Sequence, residues 1–256
     1  MHLLSRSCAD PLTQLALDDF LGQTIFGMDT SAMLHDVLDF LNFSEKSIEE
    51  QREQELWRTK EDCDTLEFDD ELTGIQYRDQ IADGIAYRFD VLLIQRVRYA
   101  ALTSTITTID WVMTALEKRL IERLPIKDGR TISTIKLLDG LCERARTKVL
   151  DTTSLELLVQ VRNCLAHGAG LLNSYKYGMD LRNKLKHTSG IKVSNINFLG
   201  DTIEIEQGYL QTVREDALQW LPRLERSLHD AGALGSPQRS QCHWRPGQPW
   251  RGPTTR

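Results

Sequence analysis

Leu155-Glu156-Leu157-Leu158-Val159-Gln160-Val161-Arg162-Asn163-Cys164-Leu165-Ala166-His167-Gly168 is the stretch on which the reading of this 256-residue chain turns. Leu155, Leu157, Leu158, Val159 and Val161 make a helix interior that should be largely buried. Into its end are set a permanently charged guanidinium, an amide and the one side chain that titrates near neutrality. Polar groups in such a place cost free energy unless they are paired, so Arg162 and Asn163 ask for a reason. Asn163 and His167 are four apart, about 40° around a helix, and share a face. Arg162 and His167 are five apart, about 140° around. They converge only if the helix ends between them or if a second subunit completes the site. Gly168 and Gly170 offer the ending, because glycine is common just past a helix C-terminus.

Outward from this segment the composition, 41% apolar and 27% charged, is that of an ordinary soluble protein. The length allows one large or two small domains with a normal core. No segment approaches the roughly 20 uninterrupted apolar residues of a membrane span. The first residues, from Met1 to Cys8, lack the apolar core of a secretory signal. Cys8, Cys63, Cys142, Cys164 and Cys242 are odd in number and scattered, with no metal-type pair. That usage fits a reducing cytoplasm and argues against a disulfide scaffold or a zinc ribbon; no metal ligands and no cofactor are expected. The net charge of −6 is unevenly divided: residues 1–75 carry 5 Lys/Arg against 18 Asp/Glu, net −13, which leaves +7 on the remainder. Two readings stay open: an acidic element that shields a basic body or binds a partner, and a plain exposed acidic helix.

The pattern predicts short helices over residues 11–43, with Leu34, Val37, Leu38 and Leu41 at helical spacing. Residues 44–71 are dominated by charge, and Ser44 or Ser47 could cap a solvated helix there. From Ile75 to Leu124 a long apolar stripe reads as two helices or one bent one. The β-branched run at residues 103–108 marks either a break or a close helix contact. A further helix is expected over residues 131–149. Residues 191–194 and 202–206 alternate as strands do around Gly200-Asp201, which predicts a small hairpin. A last helix should span residues 209–230, with Pro222 as a local kink. The fold expected is therefore all-α, with a β-hairpin insertion near residues 190–206. Its parts are an acidic helical extension over residues 1–75, a helical domain over residues 76–231 carrying the Arg162–His167 motif, and a disordered Pro/Arg/Trp tail over residues 232–256.

Arg162, polar Asn163, then Cys164-Leu165-Ala166 and His167 resemble the Arg-polar-x-x-x-His motif of the HEPN superfamily, over about residues 77–230. The resemblance implies a HEPN-like helical bundle, a metal-independent endoribonuclease acting as a toxin or defence effector, and a homodimer in which two motifs face each other. RNA can be cut without a metal because its 2′-hydroxyl can attack the neighbouring phosphate. The reaction needs a base, an acid and a cation for the charge building on phosphorus. His167 suits the acid or base role, Arg162 can hold phosphate through two N–H groups, and Asn163 can orient either. Where some members carry a modifiable tyrosine two residues beyond the histidine, this chain has Ala169. Cys164 reads as a small buried filler.

A second copy of the spacing, Arg182-Asn183-Lys184-Leu185-Lys186-His187, has little apolar support and reads as a decoy. Lys176, Arg182, Lys184 and Lys186 nevertheless form a candidate phosphate-contact loop, or a solvated one. The partners expected are RNA, a second copy of the chain, and an antitoxin or regulatory protein, with no membrane. The alternative is a non-catalytic helical module that binds a protein or nucleotide.

Overall fold

A computed structural model of the chain describes residues 11–68, 70–122, 124, 133–146, 152–197 and 200–235. It is mostly helical. Helix α1 spans Pro11–Asp64, α2 Glu71–Ala86, α3 Ile94–Arg119, α4 Thr134–Arg144, α5 Thr152–Gly168, α6 Gly178–Leu185 and α7 Tyr209–Asp230. Strands β1, Ile191–Asn197, and β2, Gly200–Ile205, pair antiparallel, with Val193 opposite Ile203. The all-α class with a small hairpin is thus present. Among the described residues no helix is long and apolar enough to cross a membrane.

The charged amino-terminal region departs from its sequence reading. In place of short helices and a capped restart near Ser44, α1 runs unbroken to Asp64. Ion pairs to the antiparallel neighbour account for its polar second half: Glu45 with Arg98 at 2.6 Å, Arg52 with Asp90 at 2.9 Å, and Glu55 with Arg88 at 2.5 Å. Exposed pairs contribute little each, but Glu45–Arg98 is mostly buried and sits where the apolar packing of Leu38 and Leu41 ends. The boundary drawn at residue 75 does not separate two cores. Leu34 packs with α3, α4 and α7 in one cluster, and Leu38 and Leu41 with α3, α5 and the hairpin in the other.

Between α1 and α2 the acidic stretch before Gly74 is non-helical at residues 65–68, and Asp70 at its end caps α2. Asp70 accepts from the Thr73 amide at 2.8 Å, and this bond holds the Asp70 carboxyl below the ordinary carboxylate range. The interruption in the long helical rod lies elsewhere than the threonine run. Residues Tyr87–Leu93 form a π-helical turn between α2 and α3. The run itself stays helical, with Thr105, Thr107 and Thr108 each donating to the carbonyl four residues earlier. Thr105 and Thr108 are buried, so close contact, one of the two readings, is what the β-branching serves.

One core cluster gathers Met113, Leu116, Leu138, Leu141, Leu224 and Leu228. The other joins α5 to the hairpin through Val161, Cys164, Leu181, Ile191, Ile203 and Ile205. The hairpin is tied to α3 by Gln95, whose side-chain amide donates to the Ile205 carbonyl at 3.1 Å and accepts from the Ile205 amide at 2.9 Å. The Tyr99 hydroxyl donates to the Ile203 carbonyl. Helix α7 continues through Pro222, as read. Gly200 and Asp201 belong to β2 and not to a turn, and residues 198–199 at the tip lie outside the described residues. The expected helix over 131–149 is described for Thr134–Arg144.

Residues 232–235, assigned to the tail, are ordered: the Ile121 amide donates to Ala233, and the Gly235 amide donates to Arg119. The rest of the tail, from residue 236, lies outside the described residues.

After α5 the chain makes a 3-10 turn at Leu172–Ser174 and enters α6 at Gly178. A Cβ on Gly178 would lie 1.9 Å from the Leu172 carbonyl oxygen, a backbone atom that cannot step aside. Gly178→Ala is therefore expected to lower stability by about 1–3 kcal/mol, as overpacking does. The measurement is the urea midpoint; an unchanged midpoint would show that the close approach is not maintained.

Candidate functional site

Helix α5 holds its motif by burying one face: Val161, Cys164 and Leu165 pack into the core while Arg162 and Asn163 are half-buried and His167 is exposed. The helix does not end between Arg162 and His167; it continues to Gly168. Within one chain the two side chains therefore leave in directions about 140° apart. The close of the helix is a bond from the Gly170 amide back to the Cys164 carbonyl at 3.3 Å. The left-handed residues there are Ala169 (φ +50°) and Gly170 (φ +82°), so an alanine takes a position that usually goes to glycine.

Arg162 faces α3. Its Nη1 stands 3.6 Å from Oδ2 of Asp110, with about a quarter of the side chain exposed. The pair is loose: Arg162 Nε and Asp110 Oδ1 are both buried without a hydrogen-bond partner. A guanidinium so placed keeps unused donors. Asn163 lies near the Tyr175 hydroxyl, and Tyr175 packs beside Gly168, where a Cβ would sit 3.6 Å from that of Tyr175. Burial raises the Tyr175 pKa, the nearby Cys164 adds to the rise, and the polar Asn163 side chain opposes it. Burial also pushes the Cys164 thiol up to about 11, so it stays protonated near neutrality and fits the filler role.

The four loop cations divide into two kinds. Arg182 is engaged by Asp201 and by Asn173, the latter at 3.4 Å. Lys184 pairs with Asp180 at 2.9 Å and reaches Gln160 on α5 at 3.2 Å. Both are committed to in-chain contacts. Lys186 contacts Asn183 at 3.3 Å, and Lys176 lies over the Tyr177 ring at 5.1 Å; neither has a carboxylate partner among the described residues. Lys192, on β1, pairs with Glu204 of β2 and with Glu206 just beyond it.

The second copy of the spacing has more apolar support than its sequence suggested, because Leu181 and Leu185 are buried in the core. Its Arg182 turns to the hairpin, however, while His187 is exposed on a cleft of 580 Å³ whose lining includes Leu155, Val213 and Trp220. Asp110 and Tyr175 went unnoticed in the sequence. The first is a lone acid between buried Ile109 and Val112; the second begins the Tyr175-Lys176-Tyr177 triplet. Among the described residues no group of three or more His, Cys, Asp or Glu side chains is arranged to hold a metal ion. No family model, no curated protein and no solved structure matches the chain.

Proposed function

We propose that this chain is a metal-independent endoribonuclease of the HEPN type, acting as a toxin or defence effector. The observation that carries the reading is the end of α5, where the motif places an exposed imidazole and, a turn and a half earlier, a guanidinium with unused donors. His167 acts as general acid or base and Arg162 holds the phosphate, with Asn163 orienting either. The 2′-oxygen attacks phosphorus as its proton passes to a base. The bond to the 5′-oxygen breaks as that oxygen gains a proton, leaving a 2′,3′-cyclic phosphate and a 5′-hydroxyl. Because Arg162 and His167 diverge on one continuous helix, the reading includes a homodimer in which the guanidinium of one protomer meets the imidazole of its partner. An antitoxin or another regulatory protein would restrain such an activity in the cell.

The purified protein is expected to cleave RNA in EDTA and to leave 2′,3′-cyclic ends, identified by their resistance to labelling until a phosphatase that opens the cycle is added. Cleavage lost in chelator and regained with magnesium would overturn the mechanism. A second reading, a non-catalytic helical module that binds a protein or nucleotide, is favoured by the Arg162–Asp110 ion pair, which gives the arginine a structural reason to be there. No RNA cleavage under any metal condition would favour it.

A further inference from the structure

The loop that buttresses the motif carries an aromatic group with no evident task in the fold. Tyr175 packs beside Gly168 at the end of α5, near Asn163. Tyr177 meets it edge-on, with ring centres 5.8 Å apart and planes at 73°. Tyr177 itself is about half exposed, and Met179 beyond it is 72% exposed. Lys176 stands over the Tyr177 ring and has no carboxylate partner among the described residues. Exposed aromatic and sulfur-bearing side chains next to a cation cost solubility and give the core nothing.

We propose that Tyr177, held in place by Tyr175 and with Lys176 over one face of its ring, offers its other face as a stacking subsite for an unpaired nucleobase flanking the phosphate at the α5 motif. The assignment rests on the ribonuclease reading and deepens it. An aromatic face accepts any base, because every base offers a π-face, while the lysine over the opposite face supplies a cation for the backbone phosphate. Tyr175 supplies the rigidity: its T-shaped contact limits the Tyr177 ring's freedom, and its packing beside Gly168 ties the platform to the end of α5. The base can reach such a ring only when it is unstacked, so the subsite selects single strands over duplex and is tolerant of sequence.

The test measures binding apart from cleavage. Fluorescence anisotropy with a labelled single-stranded RNA of mixed sequence is read on His167→Ala protein and on the same protein with Tyr177→Ala or Tyr177→Trp. Cleavage of that RNA by the unaltered protein is followed in parallel. Tyr177→Ala is expected to weaken binding roughly tenfold, and Tyr177→Trp to keep it, in line with the usual effect of removing one stacking partner. On a duplex of the same sequence the two variants should bind alike. Equal single-strand affinity for Tyr177→Ala and its parent, with the unaltered protein cleaving, overturns the subsite and leaves the ribonuclease reading standing. An equal loss on duplex overturns stacking as the cause. An unaltered protein that neither binds nor cleaves RNA overturns the ribonuclease reading and the subsite with it.

Discussion

His167→Ala should reduce RNA cleavage by roughly 10²- to 10⁴-fold, the usual contribution of a positioned acid or base, with no change in melting temperature. The side chain is exposed, so its removal opens no cavity. Arg162→Ala should abolish cleavage as well, but it needs a control that His167 does not. Asp110 would be left half-buried and without its ion pair, at a cost of about 1–3 kcal/mol. Asp110→Asn together with Arg162→Ala removes that uncompensated charge. A folded but inactive double variant assigns the loss to chemistry and not to unfolding. His187→Ala should cleave like the unaltered protein, because the arginine of its copy is occupied by Asp201. Activity that survives His167→Ala and disappears with His187→Ala would move the site to the second copy.

Mixing two inactive proteins, Arg162→Ala and His167→Ala, should restore cleavage to about a quarter of the unaltered rate, through exchange of subunits between twofold dimers. The expectation comes from the helix geometry. If each active site takes its arginine from one protomer and its histidine from the other, a mixed dimer contains one intact site and one site lacking both groups. Roughly half the dimers in an equilibrated mixture are mixed, and each carries half the sites. The effect is large because the baseline of either variant alone is close to zero. Light scattering on the unaltered protein fixes the oligomeric state. A mixture as inactive as its components, or a fully active monomer, would show that Arg162 and His167 work within one chain and would require α5 to unwind near its end.

The periodic elements were legible in the sequence because burial imposes their periods. The stripe from Ile85 to Leu124, the last helix and the alternating hairpin strands all have one face against a core. What misled was charge. Residues 44–64 read as a solvated, separately capped helix, since partners such as Arg88 and Arg98 lie 33 and 53 residues further on and no local pattern announces them. The threonine run misled for a related reason. Its low helix propensity is a property of the isolated chain, whereas the packing that buries Thr105 and Thr108 belongs to the fold. At the site, the three motif residues stood out as polar groups at the end of an apolar helix. Asp110 did not, because a single acid on a long helix usually faces water and nothing near it marks α5 as its neighbour.

The way Gln95 holds the hairpin has a consequence for the company this protein keeps. Gln95 uses one N–H of its primary amide as donor and its oxygen as acceptor on the same peptide unit, so the side chain stands in for a neighbouring strand one residue long. A two-stranded sheet has two open margins, and either could template the addition of a foreign strand. Here the β2 margin is sealed at Ile205 by a side chain and at Ile203 by a tyrosine hydroxyl and by the Ile203 amide's own bond to the Gly170 carbonyl. Any strand recruited from another chain must therefore approach along β1, and its register would be set by Ile191 to Asn197 alone. The helix that carries Gln95 thus decides from which side the sheet can be extended.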